Sequence, residues 1–129
     1  MITKTIKYVD YNGNEREEKF YFNLTKAEIT EINFDLSSDG VSLQDKLKKM
    51  IDEKDSAGIF KFFKLLIVKS YGEKSDDGKR FIKTDDMGIG FTQTEAYNVL
   101  LEELLSAEDG SLAVEFVKGI VPADIQAKV

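Results

Sequence analysis

The segment SYGEKSDDGKRFIK, residues 70–83, gathers the residue types from which a phosphate or metal site is built: two glycines, four basic and three acidic side chains between two apolar stretches. A phosphate-cradling loop needs four residues between its glycines, and a Ser or Thr after the lysine to ligate magnesium. Gly72 and Gly78 have five residues between them, and Arg80 follows Lys79. Read as a calcium loop with Gly78 at its sixth position, the segment offers Glu73, Ser75 and Asp77 as early ligands. The twelfth position is then Thr84, which has no carboxylate to grip the ion through two oxygens. Both chemistries fail, on spacing and on ligand type. SDDGK reads instead as a turn that uses glycine's freedom at positive φ. The expectation is a helix end at Tyr71-Gly72 with Gly72 as C-cap, a turn at Asp77-Gly78, and Phe81 and Ile82 returning to the core. Lys74, Lys79 and Arg80 are left as exposed positive charges that could contact an acidic partner.

The remaining titratable residues give no catalytic constellation. Cysteine and histidine are both absent, which removes thiolate chemistry, the commonest general base and the commonest zinc ligands. Acidic residues are paired at Asp76-Asp77, Asp85-Asp86 and Glu102-Glu103. Adjacent residues on a helix diverge, and the Asp pairs fall in expected loops, so none forms an acid–base dyad. MGIGF, residues 87–91, is too short for a dinucleotide fingerprint and reads as a mobile connector. The expectation is a non-enzyme that takes no cofactor and no metal. Net charge is −6, with 24 acidic against 18 basic residues, which argues against a nucleic-acid track. No apolar run approaches a membrane span, and the N-terminus lacks the apolar core of a signal peptide, so a soluble intracellular protein is expected.

With 129 residues, 42% of them hydrophobic, the chain can fill one core and bury roughly two-thirds of its unfolded surface. A single domain over residues 1–129 is expected, of α+β class: an N-terminal β-hairpin over about 1–23, then a compact bundle of about five helices over about 25–121. In the hairpin, Ile2, Ile6 and Tyr8 alternate with polar neighbours, and YNGN supplies the Asn-Gly pair of a tight turn. Phe20, Tyr21 and Phe22 close the return strand and need helices to cover them. Capping signals then mark the helices: Thr25 with Glu28, Ser42 with Asp45, Asp55, and Thr92 with Glu95. Gly110 suits the end of the helix that carries Leu100, Leu101, Leu104 and Leu105. A last helix near 111–119 places Leu112, Phe116, Val117 and Ile120 on one side. Pro122 opens a tail, 122–129, expected to fray.

The helix expected between Asp55 and about Tyr71 departs from simple amphipathicity. Ile59, Phe62, Phe63, Leu66 and Ile67 form one broad arc, and Lys61, Lys64 and Lys69 mark the opposite side. Leu65 and Val68 nonetheless fall in the lysine sector, with Phe60 at its edge. A helix apolar nearly all round must be covered on both sides. Either neighbours sandwich it, or Phe60, Leu65 and Val68 await a partner chain. Leu101, Leu105, Phe116 and Ile120 of the last two helices are a second candidate lining for a groove.

The order NGNE, FYFNLTKAEITEI, KSYGEKSDDGKRFIK, QTEAYNVLLEELL and AVEFVKGIVP, spanning roughly 8–122, resembles the tail assembly chaperones of long-tailed bacteriophages and prophages of Gram-positive bacteria. FNLTKAE and YGEKSDDGKRFIK are its most specific pieces. The resemblance implies a non-enzymatic role in the cytoplasm of the infected host. Such chaperones bind the helical, aggregation-prone tape measure protein, help bring tail tube subunits to it, and are absent from the mature virion. They also occur in a longer, frameshifted form, of which this chain would be the short counterpart. Self-association is a further expectation, without nucleic-acid or membrane partners. A structural tail or tail-terminus protein, and a small acidic phage protein that binds a host factor, are the competing readings.

Overall fold

The computed structural model describes residues 1–35, 43–106 and 110–121. Strands β1 (Ile2–Val9) and β2 (Glu15–Phe22) form the expected hairpin, in unbroken antiparallel register from Ile2↔Phe22 to Val9↔Glu15. Ile6 of β1 is buried and Ile2, Lys4 and Tyr8 are half-buried, whereas Thr3, Thr5, Lys7 and Val9 are exposed. The strands are not joined by a two-residue Asn-Gly turn. Residues 10–14 intervene, because the Asp10 carboxylate accepts from the amides of Asn12 and Asn14, both at 2.9 Å, and from Arg16 Nε. These bonds hold its carboxyl below the usual carboxylate range, the Arg16 bond foremost.

Two short strands correct the reading of residues 70–83. β3 (Tyr71–Lys74) and β4 (Phe81–Ile82) extend the sheet in the order β1-β2-β3-β4. β3 pairs with the end of β2 through Tyr21↔Gly72 and Phe22↔Tyr71, and β4 pairs with β3. Gly72 is therefore a buried strand residue and not a C-cap. A Cβ at that position would meet Ile82 O at 2.7 Å and Lys83 Cγ at 2.5 Å, so close strand approach is what needs glycine. The turn at Asp77-Gly78 forms as expected, with Gly78 at φ +72.

Among the described residues there are six helices where about five were expected; the class is α+β. They are α1 (Lys26–Asp35), α2 (Leu43–Asp52), α3 (Ser56–Ser70), α4 (Asp85–Thr92), α5 (Glu95–Leu104) and α6 (Ser111–Ile120). The Thr25–Glu28 box closes reciprocally: Glu28 N donates to Thr25 Oγ1 at 3.2 Å and Thr25 N to Glu28 Oε1 at 2.9 Å. Asp55 caps α3 by accepting from Gly58 N at 3.0 Å. The additional helix is α4: the segment read as a connector is capped by Thr84, whose Oγ1 accepts from Met87 N at 3.1 Å. Thr92 consequently ends α4, and Thr94 caps α5 in its place. Gly110, at φ +72, stands before α6 and not at the end of α5. The Ser42 cap and the tail 122–129 lie outside the described residues.

The helices cover one face of the sheet around an aromatic centre. Phe22, Phe63, Phe116, Leu66, Ile67 and Leu100 are fully buried. Phe91 of α4 is the hub: it stacks on Tyr71 at 4.7 Å between ring centroids and lies 5.2 Å from Phe20 and 5.5 Å from Phe22. Such ring pairs add roughly 0.5–1.5 kcal/mol each beyond the area they bury. At Gly88, α4 runs directly against α3, where an added Cβ would lie 2.3 Å from Val68 O.

Candidate functional site

An open apolar surface feature starts at the α2–α3 corner. α2 ends with Lys54 N donating to Ile51 O at 3.0 Å and Asp55 N to Met50 O at 2.9 Å. With Lys54 at φ 57, this is the paired bond pattern of a Schellman motif, here with lysine where glycine is usual. The turn passes straight into the Asp55 cap, which fixes α2 against α3. Ile51 at the end of α2 and Ile59 and Phe60 in the first turns of α3 then face the α5–α6 junction. Between them lies an open groove of about 650 Å³, closed on the far side by Leu105, Gly110 and Ala113, with Lys54 and Ser56 at its rim. Phe60 is 46% and Leu105 44% exposed, while Ile51 and Ile59 are half-buried on the core side.

Of the side chains singled out for partner contact, the structure brings Phe60 alone to this groove. Leu65 is half-buried and packs on the hydrophobic core. Val68 is half-buried near the other end of α3, where the backbone of α4 lies against it and it lines a small polar recess with Glu28, Lys69 and Lys83. Eight residues at 1.5 Å rise separate Phe60 from Val68 by about 12 Å along the axis, so they do not form one patch. Lys74 holds its Nζ 4.6 Å above the Tyr21 ring. Lys79 and Arg80 are exposed in the β3–β4 loop, which leaves the opposite end of α3 from the groove. Of the second candidate lining, Leu101, Phe116 and Ile120 are core residues, and Leu105 alone reaches the surface.

Sequence reasoning did not find Ile51, Lys54 and Ala113 as groove residues. Each belongs to the apolar stripe or turn of its own helix, and only the angle between helices makes them neighbours. Leu105 carries a signal: it stands one residue beyond α5, where a leucine has left the helix that would bury it.

The groove holds aliphatic and aromatic side chains, with the Lys54 ammonium and the Ser56 hydroxyl at its rim, a lining suited to the apolar face of a helix. Among the described residues no helix is long and apolar enough to cross a membrane. No curated protein and no solved structure matches the chain. A family model described as phage tail assembly chaperone matches residues 1–129. That match runs through the hairpin, the α2–α3 corner and the α5–α6 junction alike, and the chain belongs to the phage tail assembly chaperone family.

Proposed function

We propose that the chain binds an amphipathic helix of the tape measure protein in the groove between the α2–α3 corner and the α5–α6 junction. It thereby keeps that client soluble and available to tail tube subunits until the tail closes, in the cytoplasm of the infected cell. The observation that carries this reading is the pair of exposed apolar side chains, Phe60 and Leu105, facing one another across an open groove in a member of this family. A helix is about 10 Å across, and its i, i+3, i+4, i+7 stripe needs such a bed of large side chains with a charged rim. Lys79 and Arg80 stand apart from the groove and have no part in this reading.

The test is co-expression of the chain with the tape measure protein of its own phage, followed by affinity capture. Wild type is expected to bring the client down in soluble form. Phe60→Asp combined with Leu105→Asp should abolish capture while circular dichroism and cooperative thermal unfolding are retained, since neither side chain belongs to the buried core. Undiminished capture by the folded double variant sinks the groove reading. Finding the chain in purified mature virions by mass spectrometry would favour a structural tail component instead.

A further inference from the structure

α3 carries three lysines and no acidic residue. Lys69 has a partner, the Asp85 carboxylate at 3.8 Å. Among the described residues Lys61 and Lys64 have no ion pair, and both are exposed. Their place on the helix follows from Phe60. Residues four apart share one face, so Ser56, Phe60 and Lys64 form a single ridge along α3. Ser56 and Phe60 line the groove, and Lys64 stands one turn further, about 6 Å along the axis. Lys61 lies on the outer side of that ridge, away from the buried Phe63. The nearest acid, Asp55, has its carboxylate engaged by Gly58 N at 3.0 Å. Asp52 and Glu53 precede the corner at the end of α2, and the far wall of Leu105, Gly110 and Ala113 adds no charge.

We infer that the helix received by this groove is acidic along one flank: it carries Asp or Glu beside its apolar stripe, about one turn apart, where it meets Lys61 and Lys64. The inference rests on the client reading above and adds the chemistry that marks the client. Charge complementarity selects this occupant. A chain of net charge −6 repels an acidic partner at long range, but at physiological ionic strength that field is screened beyond about 8 Å. Lys61 and Lys64 fall inside that range, since both stand within about 6 Å of Phe60 along the axis. A flank of lysine or arginine would set like charges against two ammonium groups with no acid of α3 between them. An uncharged flank leaves both unmatched. Apolar stripes are common to surface helices, this chain's own included, so a stripe alone does not tell a client from any other helix. The charged flank supplies that distinction.

The test uses the complex of the full chain with the tape measure protein of its own phage. A carbodiimide joins an ammonium group to a carboxylate in contact with it and leaves no spacer. Mass spectrometry of the treated complex is expected to find Lys61 or Lys64 joined to Asp or Glu of the client, beside an apolar stripe. Lys61→Glu combined with Lys64→Glu should weaken capture by about tenfold. Converting the joined client carboxylates to lysine should then restore it, a result a misfolded variant cannot give. The inference is overturned if the reversed variant captures the client as well as wild type, if neither lysine links to the client, or if lysine in the client fails to restore capture. Loss of capture by the Phe60→Asp, Leu105→Asp variant with undiminished capture by the reversed variant leaves the groove standing and removes the acidic flank. Capture retained by the Phe60→Asp, Leu105→Asp variant removes the groove itself, and the acidic flank with it.

Discussion

Two glycines two residues apart in MGIGF have opposite reasons to be there. At Gly88 an alanine methyl would press on the backbone carbonyl of Val68 at 2.3 Å, an atom that cannot swing aside. At Gly90 nothing lies within 4 Å of the same methyl. Alanine gains up to about 1 kcal/mol over glycine in a helix interior, whereas overpacking costs about 1–3 kcal/mol. Gly88→Ala is therefore expected to destabilise the protein by about 1–2 kcal/mol, and Gly90→Ala to stabilise it by up to about 1 kcal/mol, both read from urea unfolding. Equal stabilisation by the two would mean that α4 does not dock on α3 at Gly88. Read as a sequence, the motif looked like a connector because its low helix propensity was visible and the surface awaiting it was not. The same limit applies to the groove. Phe60 was legible from its place on the helical wheel, but whether Leu65 and Val68 beside it were covered depended on elements distant in sequence.

Among elements, those specified by neighbouring residues were the legible ones. The β1–β2 hairpin followed from alternation, and the starts of α1 and α3 from the Thr25–Glu28 box and Asp55. β3 and β4 were not legible, since each pairing is only two residue pairs long and β3 depends on β2, some fifty positions earlier. Their loop carries its own fastening. Asp77 accepts from Ser75 Oγ at 2.7 Å and from Lys79 N at 3.0 Å, and Arg80 N donates to Ser75 Oγ at 3.0 Å. The Lys79 amide and the Ser75 hydroxyl hold the Asp77 carboxyl below its ordinary 3.8. A lowered folded-state pKa means that this contribution is fully present above 3.8 and is lost as pH falls through the lower folded value. The Lys79 amide resonance is expected to titrate with a midpoint below 3.8, and to lose that transition in Asp77→Asn. A midpoint at or above 3.8 would contradict the fastening.

Across the whole molecule, sheet and helices are joined at a few places where the chain leaves one element for another. Leu24 N donates to Ile120 O at 2.9 Å, tying the end of β2 to the end of α6, and Asn23 N donates to Ser70 O at 2.8 Å, tying it to the end of α3. Lys83, just after β4, draws the same region together from the other side. Its Nζ donates to Asn23 O at 2.7 Å, to Lys69 O at 3.2 Å and to the Glu28 carboxylate, which also closes the α1 capping box. The Lys83 side chain is only 14% exposed and that of Glu28 28%, so removing the ammonium strands a partly buried carboxylate and two carbonyls. Lys83→Ala is expected to cost about 2–4 kcal/mol, above the range of a surface ion pair. Lys83→Met retains the apolar stem across Gly72 and loses only the charge. If the hydrogen bonds carry the effect, the methionine variant unfolds at nearly the same urea concentration as the alanine variant. If stem packing carries it, methionine restores most of the loss. In either case the unfolding transition should remain single, because the lysine joins β4, α1 and the end of α3 into one cooperative unit. A separate early transition of the β3–β4 hairpin in Lys83→Ala would show that hairpin to be an appendage of the fold.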